Sequence, residues 1–173
     1  MKVNIYPAPC LRQKCKPVEK ITAHIQQTLK EMAKTMYAAG GIGLAAPQVG
    51  IDRQLVVLDI GEGLKCLVNP KVISRQGTSV LEEGCLSLPG ITVKVRRARK
   101  VKVQALNEKG EPVSLDGQDL LAHVLQHEID HLHGRLIIDY AGLRDKWRLR
   151  RKLKELKRQP AEEIKCSVEA KCI

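Results

Sequence analysis

The stretch from Gln126 to Gly134, QHEIDHLHG, restricts what this chain can become more than any other. On a helix, residues four apart share a face one turn apart, so His127 and His131 can point at one metal ion with Glu128 beside them. Such an ion lowers the proton affinity of a bound water, and a neighbouring carboxylate can take the proton and later return it. The pattern predicts a hydrolase. It also asks the rest of the chain for a rigid scaffold and for a third protein ligand that leaves a coordination position open.

His123 lies one turn before His127 and extends the ladder. Residues eight apart on a helix are ~12 Å apart along the axis, however, whereas ligand bonds are ~2 Å long. At most two of His123, His127 and His131 can therefore share an ion. A ligand from elsewhere is needed, and Cys85 in LEEGCLSLPG fits that need.

The scaffold reads as α+β: antiparallel sheets around a central helix that carries HEIDH, with an N-terminal helix on one side and a basic C-terminal helix outside. At 173 residues the chain can bury a proper core as one domain, expected to span residues 1–159 with a mobile tail at 160–173. With no Phe, that core must come from Val, Ile, Leu and Ala. Residues 1–20, punctuated by Pro7, Pro9 and Pro17, read as an extended arm. Ile25, Leu29, Met32 and Met36 form the stripe of a helix over Thr22 to Ala39 that ends at Gly40 and Gly41. Gln54 to Ile60 and Leu64 to Val68 suggest a hairpin, and a further strand pair is expected around Lys71 to Leu81 with Gly77 at its turn. From Ile91 to Leu106, alternation places Val93, Val95, Val101 and Val103 inward, in two halves that need not be one strand. After a turn at Asn107 to Pro112 and a short return strand at Val113 to Leu115, Asp116 is the expected N-cap of a helix from about Gln118 to His133, which Gly134 closes. A last helix over Leu143 to Arg158 keeps Leu149, Leu153 and Leu156 as a narrow apolar stripe, with Pro160 as its stop.

The formal net charge of +11 is concentrated in that last helix, where Arg144, Lys146, Arg148, Arg150, Arg151, Lys152, Lys154, Lys157 and Arg158 face only Asp145 and Glu155. Such a run is either a solvated helix face or a surface for RNA, whose phosphates release counterions to Lys and Arg. No apolar run is long enough to cross a bilayer, and the N-terminus lacks a secretory apolar core, so a cytoplasmic location without membrane contact is expected. Cysteines there are thiols or ligands, not disulfides. Cys10, Cys15, Cys66, Cys166 and Cys172 read as structural or incidental thiols.

Three segments, GIGLAAPQ (Gly41 to Gln48), EGCLS (Glu83 to Ser87) and QHEIDHLHG, occur in this order in a chain of this size. Together they resemble the signature motifs of peptide deformylase, and the resemblance runs from the N-terminal arm through the basic helix. It implies removal of the formyl group from formyl-methionyl nascent chains, with release of formate. It implies Cys85, His127 and His131 as ligands of one divalent metal, Fe2+ natively, with Zn2+, Ni2+ or Co2+ as substitutes. Glu128 becomes the general base and then acid, and the Gln48 side chain and the Leu86 backbone N–H the oxyanion donors. Ile42 and Gly43 would pair with the substrate backbone as an added strand, while Leu81, Leu120, His123 and Val124 would line the methionine pocket. Glu83 would orient the Cys85 loop by pairing with Arg97, where the bland alternative is a surface carboxylate. A thiolate ligand would make the site sensitive to air.

Some readings stay open at this point. The family usually carries an aliphatic residue where this chain has His123, which could be a polar lip on the pocket, a weak metal contact, or a hydrogen-bonded core histidine; the last is favoured. His24 and His133 read as surface residues. Asp130 either fixes a histidine or a backbone amide or faces solvent. Ribosome docking by the basic helix is expected, with no sequence-specific DNA binding. A zincin-type protease would need a downstream ligand, for which Glu155, Glu162 and Glu163 are poor. An RNA-binding module with a structural metal would close the site with four ligands.

Overall fold

The computed structural model describes residues 1–158. Pro160, Glu162, Glu163, Cys166, Cys172 and the expected mobile tail lie outside the described residues. The architecture is α+β, with three α-helices and two antiparallel sheets among the described residues. Helix α1 spans Ala23–Ala38, capped by Thr22, whose hydroxyl accepts the Ile25 N–H at 3.4 Å. Its predicted stripe is real: Leu29, Met32 and Met36 are fully buried and Ile25 packs partly buried beside them. Each fully buried side chain of this kind contributes roughly 1.5–3 kcal/mol relative to exposure.

Strands β1 (Gly43–Ala45), β2 (Leu55–Leu58), β3 (Lys65–Gln76), β6 (Lys100–Leu106) and β7 (Pro112–Gln118) form a five-stranded sheet in the order β1-β2-β3-β6-β7. Every residue of β2 is buried because both faces of the sheet are covered. Leu55 and Val57 pack with α1, whereas Val56 and Leu58 pack with Val124, Leu125 and Ile129 of helix α2 (Leu120–Leu132). The β2–β3 hairpin closes on Asp59, whose Oδ1 accepts the Gly61 and Gly63 N–H groups at 2.8 and 3.1 Å.

Strands β4 (Ser79–Glu83) and β5 (Val93–Arg97) form a separate two-stranded sheet. The strand pair expected across Gly77 is therefore corrected: β3 pairs with β6, β4 pairs with β5, and at Gly77 (φ +61°) the chain leaves one sheet for the other. The alternating run from Ile91 to Leu106 divides likewise. Val93 and Val95 join a core with Leu136, Ile137, Ile138, Leu149 and Leu156, while Val101 and Val103 pack under α2. Helix α3 (Leu143–Arg158) is thus held by Leu149 and Leu156, with Leu153 partly buried.

The predicted cap of the central helix is also corrected. Asp116 pairs with Lys102 inside β7, which continues to Gln118 because β6 offers it ladder partners up to Lys100. Asp119 precedes α2 at φ +49° and makes no side-chain cap; its carboxylate binds Arg99 Nε at 2.9 Å. At the other end Gly134 has φ +71°, and a Cβ there would strike the Arg12 backbone. Only glycine fits.

Candidate active site

Helix α2 is buried on most of its circumference, and it carries His127, Glu128 and His131 at 2%, 1% and 1% exposure. The chain leaving β4 brings Cys85 against them. Cys85, His127 and His131 each offer a donor atom, all within 4.8 Å of one another, and Cys85 Sγ lies 3.3 Å from His131 Nε2. Two ligands held ~2.0–2.3 Å from one tetrahedral ion stand roughly 3.5 Å apart, so this spacing fits a small divalent ion. His127 Nε2 and Glu128 Oε2 are buried without a hydrogen-bond partner, which a purely structural cluster would not leave. His123 is not part of this donor set.

Glu128 approaches the Gly41–Gln48 segment so closely that a Cβ on Gly43 would overlap its carboxylate. Burial raises the Glu128 carboxyl to about 7, against the opposing pull of His127 and Arg97. Burial pushes His127 down as well, but Cys85 and Glu83 outweigh it and bring the imidazole up to about 10. His131 is held well below the ordinary histidine value by burial and by the charge of His127. Gln48, 1% exposed, is oriented by its Oε1, which accepts the Ala45 N–H at 2.8 Å. Its Nε2 then faces Ser87 Oγ at 3.2 Å and Cys85 Sγ at 3.7 Å.

Behind the donors lies a network organised on Glu83, which is 0% exposed. Glu83 Oε1 accepts from Arg97 Nε at 2.6 Å and His123 Nδ1 at 2.8 Å; Oε2 accepts from an Arg97 terminal nitrogen and from His127 Nδ1, both at 3.0 Å. Burial alone would raise this carboxyl, but His123, His127 and Arg97 hold it far below the usual range. Arg97 also donates to Asp130 Oδ2 at 2.7 Å, where the Tyr140 hydroxyl donates at the same distance. The expectations for Asp130 are corrected: its side chain serves neither a histidine nor a backbone amide, and neither is it idle in solvent.

His123 is fully buried, its second ring nitrogen 2.8 Å from Ser79 Oγ. Val124 is buried, Leu81 is partly buried, and Leu120 is 40% exposed. Gly43 opens β1, which ends the five-stranded order, and Ile42 immediately precedes it. His24 and His133 are exposed. Ser79 and Tyr140 complete the network and Ser87 faces Gln48, and no sequence expectation singles these three out. Ser87 lies inside EGCLS and could have been found there, whereas nothing local marks Ser79 or Tyr140.

A buried donor triad, an adjacent carboxylate of raised pKa and the Gln48 side-chain amide facing them are the parts of a metal-dependent hydrolase centred on an HExxH helix. The model of the polypeptide deformylase family matches residues 1–147. The chain is 53% identical over 131 residues to the peptide deformylase of Desulfitobacterium hafniense, covering 76% of this chain and 87% of that one. With peptide deformylase 1 of Burkholderia multivorans the identity is 45% over 157 residues, 88% of this chain and 87% of the relative. The crystal structure of a peptide deformylase from Legionella pneumophila superposes with a TM-score of 0.85 at 42% identity, over 92% of this chain and 98% of that one. One from Synechococcus elongatus, in complex with actinonin, gives 0.80 at 40% identity over 90% and 82%. The chain belongs to the peptide deformylase family, hydrolases that remove the N-terminal formyl group from nascent peptides.

Proposed function

We propose that Cys85, His127 and His131 hold one Fe2+ ion, for which Zn2+, Ni2+ or Co2+ can substitute, and that formyl-methionyl chains are deformylated beside it. Such an ion would supply Lewis acidity toward the formyl carbonyl and toward water. The observation that carries the reading is Glu128, buried beside the three donors with an unpartnered oxygen and a carboxyl raised to about 7. At that value it can take a proton from water near neutral pH and return it to the leaving amine nitrogen. Gln48 Nε2 and the Leu86 backbone N–H would donate to the oxyanion. The substrate backbone would add to β1 at Ile42 and Gly43, a role that suits a strand ending its sheet order. The methionine side chain would lie among Leu81, Leu120, His123 and Val124.

Formate release from formyl-Met-Ala-Ser, measured anaerobically with iron or nickel, tests this. Glu128→Ala should lose on the order of 10²–10⁴-fold in rate. Metal-loaded protein that releases no formate would end the reading, and an undiminished mutant would end the role given to Glu128. Activity should also decay in air with Fe2+ faster than with Ni2+.

Residues 1–159 are taken as one catalytic domain, a reading supported by the burial of Leu149 and Leu156 in the core that includes Cys85. The exposed face of α3, with Arg148, Arg150, Arg151, Lys152 and Lys154, suits ribosomal RNA and a cytoplasmic site of action on emerging chains. No helix among the described residues is long and apolar enough to cross a membrane. Deleting α3 would strip the core, so the sharper test is glutamate at Arg148, Arg151 and Lys154. Unchanged ribosome co-sedimentation at low salt would end the docking idea.

A further inference from the structure

The Glu83 carboxylate takes hydrogen bonds from two histidines, and only one of them belongs to the donor triad. His127 Nδ1 is 3.0 Å from Oε2, and His123 Nδ1 is 2.8 Å from Oε1. An ionised carboxylate can only accept, so both rings carry their proton on Nδ1 in these bonds. For His127 this leaves Nε2, the unpartnered nitrogen that faces Cys85, as the atom free to bind an ion. For His123 it turns Nε2 toward Ser79 Oγ, which lies 2.8 Å away. Ser79 stands opposite Arg97 in the β4–β5 register, and Arg97 fills the remaining acceptor positions of Glu83. Every group in the chain Ser79, His123, Glu83, His127 thereby has a partner, and the carboxylate is held at both oxygens from both sides.

We propose that His123 is a positioning residue that acts through Glu83. By binding Oε1 from the α2 side it fixes the rotation of the carboxylate, so that Oε2 stays aimed at His127 Nδ1 and the lone pair of His127 Nε2 stays aimed at the ion. Ser79 sets the orientation of the His123 ring. Without the His123 bond, the two-pronged Arg97 pair holds the carboxylate from the β5 side, and on the α2 side only His127 itself opposes a turn toward the arginine. The inference rests on the metal-site reading above and names which residue of this chain tunes it. Outer partners of metal-bound histidines typically change affinity by about 10–100-fold when removed.

The test uses Co2+ as the probe, with affinity measured by chelator competition and the ligand-field spectrum recorded for the full chain. His123→Ile fills the space without the donor, His123→Asn offers an amide donor near the former Nδ1, and Ser79→Ala removes the outer hydroxyl. The expected result is weaker Co2+ binding by about tenfold or more in His123→Ile with a shifted spectrum, substantial recovery in His123→Asn, and a smaller loss in Ser79→Ala. Recovery by Asn separates positioning from mere packing, because Ile is the better apolar filler. Should His123→Ile not fold, loss of affinity in Ser79→Ala with recovery in Ser79→Thr carries the proposal, and unchanged affinity in Ser79→Ala overturns it. Wild-type affinity and spectrum in His123→Ile also overturn it. Failure of the wild-type protein itself to bind Co2+ would instead remove the metal-site reading, and the proposal with it.

Discussion

Gly43 has no room for a side chain, because the Glu128 carboxylate occupies the space its Cβ would need. The loop and the helix meet at the atoms that would do the chemistry. Gly43→Ala should therefore push Glu128 aside and lower the rate of formate release about 100-fold or more, the scale of a lost acid–base group. Metal content measured on the same protein should stay near one ion per chain, since none of the three donors is touched. A variant that keeps full activity would show that the carboxylate can move without consequence.

Among the described residues Arg97 is the arginine that pairs with the buried Glu83 carboxylate, and its own side chain is 4% exposed. Arg97→Met should destabilise the fold by about 3–5 kcal/mol, because it leaves a buried charge with only histidine donors. Urea unfolding midpoints measure this. Replacing both partners, Arg97→Met with Glu83→Leu, should cost less in stability than the single change while still removing the hydrogen bond to His127. Equal losses in the two proteins would mean that the ion pair is not what Arg97 contributes.

Metal loading should raise the melting temperature. An ion that binds only the folded chain stabilises it by about 3 kcal/mol when present at 100 times its dissociation constant. Calorimetry with and without Co2+ should show the upward shift in wild type and none in Cys85→Ser. A shift of the same size in Cys85→Ser would place the ion elsewhere.

Asp139 ties the N-terminal arm to the turn after α2, taking a terminal Arg12 nitrogen at 2.6 Å and the Leu136 N–H at 2.9 Å. Burial would raise this carboxyl, but Arg12 and the Leu136 amide win and hold it below the usual range. A lowered folded-state value stabilises the protein above the ordinary carboxylate range, and the benefit is lost as the pH falls through the folded value. Asp139→Asn should therefore melt slightly below wild type at neutral pH, and the gap should close in acid. Both groups are more than a third exposed, so 1 M salt should also shrink the gap. A gap independent of pH would show that the charge is irrelevant.

The helices were legible because their signal is local. The stripe from Ile25 to Met36 and the glycine at Gly134 each sit within a few turns of what they determine. The strand ladder was not, since nothing between Lys71 and Leu81 says that β3 will choose β6 and β4 will choose β5. Asp116 looked like a cap because Asp is a good cap; the neighbouring strand claimed its backbone first. The motif residues stood out in the sequence as types, and their closeness to one another did not. Glu83 was readable as a partner for Arg97, but its simultaneous grip on His123 and His127 depends on the β4–α2 distance, which no spacing encodes.

Cys85 meets His131 across 46 positions of sequence, and Gln48 meets Cys85 across 37. No fragment of the chain that stops short of His131 contains the complete donor set, however well its first sheet has formed. A protein whose substrates are chains still being made cannot itself hold a metal through these three donors until its own chain has been made as far as His131. Capture of a metal by all three donors thus waits for His131, and the moment of loading would report that the central helix has met the loop after β4.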